Sequence, residues 1–157
     1  MILPPFRPRR SRASMLPRLD ILVVEDDANI RAIIELSLGL DPSMTVRTVE
    51  YGWEAIEEVE RDEVSFDLIL LDGILSDMSG AALITAVHAN PKTKNLPVII
   101  LTALRSNSEL DHLADAGANA VMEKPFDPIS LANQLRAHLA LRDGRCVRWW
   151  ASDPSTR

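Results

Sequence analysis

The apolar run Leu68-Ile69-Leu70-Leu71, which ends in Asp72, is the feature that most limits how this chain can fold. A continuous apolar run of this length, closed by a turn signal, is typical of a strand that is buried on both faces. Such strands belong to sheets covered by helices, and open sheets of this class bind ligands at the carboxyl ends of their strands. Asp72 is therefore either a polar strand end or a chemically active group, and the rest of the chain must decide between the two.

Apolar segments with strand character alternate along the chain with segments of helical periodicity. The predicted strands are 20–25, 44–49, 66–72, 96–102 and 120–123. The predicted helices are one that begins after the N-cap Asp27 and closes at Gly39 and Pro42, then 52–61, 78–89, 109–116 and 128–141. In the fifth helix, the spacing predicts that Ile129, Ala132, Leu135 and Leu139 face the core. This alternation predicts an α/β fold with a parallel five-stranded sheet, helices on both faces and right-handed crossovers.

Length and composition indicate one domain with a real core, since the chain has 157 residues of which 46% are hydrophobic. Residues 1–18 are rich in Pro and Arg and are predicted to be a disordered arm, residues 19–141 the domain, and residues 142–157 a trailing tail. No apolar run approaches the roughly 18 residues of a membrane span, and no signal peptide is recognisable. Cys146 is the single cysteine, which excludes an internal disulfide and fits a reducing, cytoplasmic location.

The net charge is unevenly distributed along the chain. The total of −6 is the balance of +5 in residues 1–18, +2 in residues 142–157 and −13 in residues 19–141. A domain this acidic repels phosphate backbones, which argues against nucleic-acid binding. Acidity of this kind is compatible with a divalent cation site, although most of these carboxylates are expected on solvated helix faces.

Polar side chains follow four of the predicted strands where each one ends. They are Glu25 with Asp26, then Asp72, Thr102 and Lys124. Parallel strands end at one edge of a sheet, so these groups are expected to converge there, and converging carboxylates need a cation or a proton. Mg²⁺ is the natural cation for such hard oxygen ligands, and a lysine and a hydroxyl nearby are donors to phosphate oxygens. The chemistry that this set permits is phosphoryl transfer onto a carboxylate.

The chain resembles the receiver domains of two-component response regulators (CheY-like) over about residues 19–141. The resemblance rests on five short motifs at matching separations, which are LVVEDD at 22–27, LILLD at 68–72 with Gly80 beyond it, LTA at 101–103, GA at 117–118 and KPF at 124–126. Each motif alone is weakly specific, and their order and spacing together are strongly specific. The resemblance implies a flavodoxin-like fold, (βα)5 with strand order 2-1-3-4-5.

The resemblance also implies a role for each matching residue. Asp72 matches the phosphoacceptor, Thr102 the hydroxyl that moves to meet the phosphoryl group, and Lys124 the lysine that pairs with the acyl phosphate across a cis Lys124–Pro125 bond. The implied Mg²⁺ ligands are Asp26 and Asp72 directly, Glu25 through water, and the backbone carbonyl of Ile74.

Two positions depart from the family pattern, and two others match positions at which family members differ in phosphoryl lifetime. Ser76 stands where the family often has proline, and Val121 stands where a switching aromatic side chain is common. Valine cannot swing between a buried and an exposed rotamer as a ring can, so a weaker or different coupling to the output face is expected. Ile74 and Leu104 match the positions that tune phosphoryl lifetime. Both are apolar and are expected to hinder an attacking water, which predicts slow self-dephosphorylation.

The expected function is a phosphorylation-dependent switch that is not itself an enzyme beyond self-phosphorylation and slow self-dephosphorylation. The donor would be a histidine kinase or a histidine phosphotransfer protein. Only 16 residues follow position 141, so the output is expected to act through binding an unknown downstream protein, with a homodimer also possible. The alternative is a receiver-like interaction module that switches weakly or not at all. A phosphatase of the haloacid-dehalogenase type is rejected, because Ile74 occupies the place of its second Asp.

Two features stay outside this scheme. His88, His112 and His138 lie on separate predicted helices without ligand spacing, so they are expected to be solvated surface residues. Trp149-Trp150 lies among arginines in the tail and is interpreted either as a partner-docking element or as a segment that folds back on the domain.

Overall fold

The computed structural model describes residues 16–103 and 106–140. Strands and helices alternate throughout this part of the chain. In order they are β1 (Leu19–Val24), α1 (Ala28–Gly39), β2 (Met44–Val49), α2 (Gly52–Glu60), β3 (Leu68–Asp72), α3 (Gly80–Ala89), β4 (Val98–Thr102), α4 (Asn107–Ala116), β5 (Ala120–Glu123) and α5 (Leu131–Ala140). None of the described helices is long and apolar enough to cross a membrane.

All five strands pair in parallel in the order β2-β1-β3-β4-β5, which confirms the predicted fold class. The register brings the strand ends level with one another, because Val24 pairs with Leu71, Asp72 with Leu101, and Thr102 with Glu123. The polar residues at these ends therefore share one edge of the sheet.

The sheet separates two apolar layers, and alternate residues of each strand enter alternate layers, as the two-residue period of a strand requires. In β3, Ile69 and Leu71 belong to the layer that contains residues of α2, α3 and α4. Leu68 and Leu70 belong to the layer that contains residues of α1 and α5. All four are at most 1% exposed, which explains why the run is apolar without interruption.

Helix boundaries follow their capping groups. Asp27 is the N-cap of α1, as predicted, and its carboxylate accepts from the backbone N–H groups of Asn29 and Ile30 at 2.9 and 3.0 Å. Helix α3 begins later than predicted, at Gly80, because the Ser79 hydroxyl accepts from Ala82 N–H and caps it.

The prediction for the start of α5 was wrong. Asp127 accepts from Ile129 N–H at 3.1 Å within a turn, and the helix begins only at Leu131. Ile129 therefore lies outside the helix and is 80% exposed instead of facing the core. The helical spacing included Ile129 because it stands three residues before Ala132, which a continuous helix would place on the same face.

Candidate functional site

The predicted site residues come together at the carboxyl edge of the sheet. One carboxylate oxygen each from Glu25, Asp26 and Asp72 lies within 4.8 Å of the others. Lys124 reaches the same point from the end of β5, with its ammonium 2.8 Å from Glu25 Oε2 and 3.4 Å from Asp72 Oδ2. Residues separated by 99 positions, Glu25 and Lys124, are therefore in direct contact, as the parallel topology predicts.

Glu25 is the most buried of the three acids, at 1% exposure. Burial, and then the neighbouring Asp72 carboxylate, raise the pKa of Glu25 above its ordinary value of 4.5. The Lys124 ammonium and the backbone N–H of Asp27, which donates to Oε1 at 3.2 Å, work in the opposite direction without cancelling the rise. The surroundings of Glu25 thus disfavour its charged form.

This donor set fits a magnesium ion. Three carboxylates share a single ammonium, so the cluster lacks positive charge, and hard oxygen ligands are those that Mg²⁺ prefers. The side chain of Asp72 is 11% exposed, whereas that of Glu25 is 2% exposed. Asp72 is thus the more accessible of these two carboxylates to an incoming group.

The loop after β3 is hydrogen-bonded to Asp72. Ile74 N–H donates to Asp72 Oδ1 at 3.1 Å, and Ile74 forms an isolated antiparallel bridge with Ser79. Ile74 is 68% exposed beside Asp72. Leu104, the second residue predicted to tune phosphoryl lifetime, lies outside the described residues. The Lys124–Pro125 peptide bond is cis, as predicted.

Thr102 is 1% exposed at the end of β4, and the chain makes room for it with a glycine. A Cβ added at Gly73 would lie 2.9 Å from Thr102 Oγ1 and 3.0 Å from its Cβ. The sequence shows a small residue after Asp72, but only the structure shows that a larger residue there would collide with Thr102.

We expect Gly73→Ala to destabilise the protein by about 1–3 kcal/mol, the usual cost of overpacking a filled site. The matched control is Gly39→Ala at the end of α1, where nothing lies within 4 Å of an added Cβ. That control should be neutral or slightly stabilising, since alanine favours the helix. Urea unfolding of both variants measures the difference, and equal stabilities would contradict the close approach of Gly73 to Thr102.

Val121 occupies a packed position and is 5% exposed. It belongs to the same apolar layer as Leu110 and Leu113 of α4. Movement of α4 relative to β5 would therefore change the aliphatic packing of the layer that contains Val121.

Three residues differ from what the sequence indicated. His138 was expected to be a solvated surface residue but is half-buried, and this burial lowers its pKa. His88 was expected to be a solvated surface residue but is half-buried, and its Nε2 lies 2.9 Å from the Leu96 carbonyl. Asp77 was not singled out, yet its carboxylate accepts from the N–H groups of Gly52 and Trp53 at 3.0 and 3.1 Å. No local signal identifies this contact, because its partners lie 25 and 24 residues away.

Comparison with known proteins agrees with this geometry. A model of the response regulator receiver domain family matches residues 21–136. The chemotaxis protein CheY1 of Helicobacter pylori (strain J99) is 29% identical over 125 residues, which cover 80% of this chain and 100% of that protein. The phosphate regulon regulator PhoB of Rhizobium meliloti is 34% identical over 80% of this chain and 53% of its own length.

Solved structures show the same fold. The chemotaxis response regulator CheY4 of Vibrio cholerae superposes with a TM-score of 0.70 at 27% identity, covering 77% of this chain and 98% of that one. The receiver domain of a sensor histidine kinase from Pseudomonas aeruginosa PAO1 gives 0.69 at 28% identity over 78% and 98%, and it holds a magnesium ion coordinated in its active site cleft. With the family match over most of its length and five strands in the order 2-1-3-4-5, this chain belongs to the response regulator receiver domains of two-component signalling.

Proposed function

We propose that this protein is a phosphorylation-dependent switch whose acceptor is Asp72. The observation that carries the proposal is the position of Lys124, whose ammonium lies between Glu25 and Asp72 at 2.8 and 3.4 Å. A cation held there neutralises charge that builds up when a phosphoryl group joins the acceptor carboxylate.

In the proposed reaction, an Asp72 carboxylate oxygen attacks the phosphorus of a phosphohistidine on a kinase or a phosphotransfer protein. The P–N bond breaks, its electron pair goes to the imidazole nitrogen, the ring takes up a proton from water, and the product is an acyl phosphate on Asp72. The Lys124 ammonium pairs with a phosphoryl oxygen, and the Thr102 hydroxyl donates a hydrogen bond to another.

The groups proposed to hold Mg²⁺ are the carboxylates of Glu25, Asp26 and Asp72 and the backbone carbonyl of Ile74. The clustered carboxylates support this assignment. When bound, the ion supplies further neutralisation of the phosphoryl oxygens. The chain's own part is to place the acceptor, the ammonium and the hydroxyl at one edge of the sheet before the donor arrives.

Phosphorylation at this edge adds about −1.5 to −2 charges at neutral pH. The change is proposed to shift α4, β5 and α5 between two states through Thr102 and the packing around Val121. The output is binding to a downstream protein in the cytoplasm, with a second copy of the chain as another possible partner. The alternative, a receiver-like interaction module with weak or no switching, is kept open by Ser76 and by the aliphatic Val121, which is 5% exposed and belongs to the same apolar layer as residues of α4.

The test is incubation with acetyl phosphate and MgCl₂, followed by intact mass spectrometry. We expect one phosphoryl group on the wild type and none on Asp72→Ala. Asp62→Ala is the matched control, because its side chain is fully exposed, and it should be labelled like the wild type. The absence of labelling on the wild type, or equal labelling of Asp72→Ala, would refute the proposal. Chelation of Mg²⁺ should prevent labelling.

We also propose that the acyl phosphate is long-lived and that self-dephosphorylation is slow. The Ile74 side chain is apolar and stands exposed beside the acceptor, where it hinders the approach of an attacking water. Removal of the phosphodonor should leave the label in place for many minutes, and Ile74→Asn should shorten the lifetime. A lifetime of seconds in the purified wild type with Mg²⁺ would count against this expectation.

A further inference from the structure

Asp77 joins the loop after the acceptor to the beginning of α2. Its two carboxylate oxygens accept separately from Gly52 N–H and Trp53 N–H, at 3.0 and 3.1 Å. These are two of the unpaired N–H groups at the start of a helix, which are usually satisfied by a residue just before it. Here the hydrogen-bond acceptor is Asp77, which belongs to a different segment of the chain, five residues after Asp72.

The contact is supported by packing at the next residue. Met78 is half-buried against the layer that contains α2, and a Cβ added at Gly52 would lie 2.6 Å from Met78 Sδ. Gly52 therefore lets the loop approach the helix closely enough for the Asp77 bonds to form. Two independent contacts, one polar and one apolar, fasten the loop at this point.

The start of α2 is also connected to the other side of the carboxylate cluster. Residue Val49 at the end of β2 accepts from Glu25 N–H at 3.2 Å, and α2 begins three residues later at Gly52. Starting at Asp72, the chain of contacts passes through Asp77 to Gly52, along the backbone to Val49, and on to Glu25. This path connects the two acids in addition to the pairing of β1 with β3 and to their shared contact with Lys124.

We propose that Asp77 is a positioning residue for the cation site, and that cation binding at Asp72 is energetically coupled to the first turn of α2. The inference rests on the proposed magnesium site. Asp77 acts through the loop after β3. Ile74, whose carbonyl is a proposed ligand, lies between Asp72 and Asp77 in this loop and forms a bridge with Ser79. Coupling between two sites is reciprocal. A cation that orders the loop must therefore also strengthen the hydrogen bonds from Gly52 and Trp53 to Asp77, and loss of these bonds must weaken cation binding.

The experiment titrates the full chain with MgCl₂ and follows the amide NMR signals of Gly52 and Trp53, with calorimetry giving the affinity. In the wild type, Mg²⁺ should shift both signals and slow their hydrogen exchange. Asp77→Ala should bind Mg²⁺ about tenfold more weakly, as expected for outer groups that orient metal ligands, and its Gly52 and Trp53 signals should no longer respond. Asp77→Asn keeps one acceptor oxygen and should recover most of the affinity.

Ser106→Ala is the control for loss of a helix cap in general, since Ser106 caps α4 through Glu109 N–H. It should bind Mg²⁺ like the wild type. Wild-type affinity in Asp77→Ala, or an equal loss in Ser106→Ala, would overturn the proposal. If the wild type itself binds no Mg²⁺, the proposed metal site fails, and that result is seen in the calorimetry of the wild type before any variant is compared.

Discussion

Replacing Lys124 with methionine should lower the free energy of unfolding at neutral pH by about 3–5 kcal/mol, the usual cost of leaving a buried charge without its partner. Methionine keeps the length and apolar stem of the lysine but removes the ammonium that contacts Glu25 and Asp72. Glu25 then remains nearly inaccessible to water and loses the ammonium that contacts its carboxylate, while Arg31 donates to its backbone carbonyl instead. Urea unfolding without Mg²⁺ measures the loss, and the variant should also fail to hold a phosphoryl group.

The loss should depend on pH in a defined direction. The pKa of Glu25 is raised in the folded protein, so between 4.5 and the folded value the folded state binds more protons than the unfolded state. In that window Glu25 lowers the free energy of unfolding as the pH rises. The defect of Lys124→Met should therefore be largest at neutral pH and shrink as the pH falls towards 4.5, where Glu25 becomes neutral.

Glu25→Gln is the matched partner in a double-mutant cycle. It removes the buried charge, so Lys124→Met should cost much less when Gln is already at position 25. Lys124 keeps Asp72 as a partner in the single Glu25→Gln variant. Additive losses in the double variant would contradict a direct interaction between Glu25 and Lys124.

The second large effect on stability is expected at Leu70, in the middle of β3. Leu70 is 1% exposed and belongs to the layer formed with α1 and α5. Leu70→Ala should reduce the free energy of unfolding by about 2–5 kcal/mol, because the lost side chain leaves a cavity in a closely packed layer. Thermal and urea unfolding both report this quantity.

Leu36→Ala is the control for the same chemical change on the surface. Leu36 lies on α1 and is 75% exposed, so its truncation removes little buried area. Its effect should stay within about 0.5 kcal/mol. Similar losses at positions 36 and 70 would argue against the burial of β3.

Much of the fold could be predicted from local patterns. The runs 44–49 and 120–123 became strands with the predicted bounds, β2 and β5. β3 is buried on both faces and is therefore apolar from Leu68 to Leu71, a property that is visible within a few residues of sequence. The start of α5 was mispredicted because periodicity alone does not distinguish a turn from a first helical turn, and the bond from Ile129 N–H to Asp127 decides it.

The candidate site was also predictable in its membership. Glu25, Asp26, Asp72, Thr102 and Lys124 each follow an apolar run, and parallel topology brings such positions to one edge. The order and spacing of these residues along the chain also match those of the family motifs. Their roles in phosphoryl transfer remain predictions for the experiments above.

Which residues would converge was thus determined by the sequence itself, since strand ends follow from local apolar patterns and sheet topology. How they are held was decided only by tertiary structure. The burial of Glu25 beside Lys124, the space that Gly73 leaves for Thr102 and the cap that Asp77 places on α2 all join segments distant in sequence. Such contacts depend on side-chain positions after the layers have packed, so no pattern in neighbouring residues reveals them.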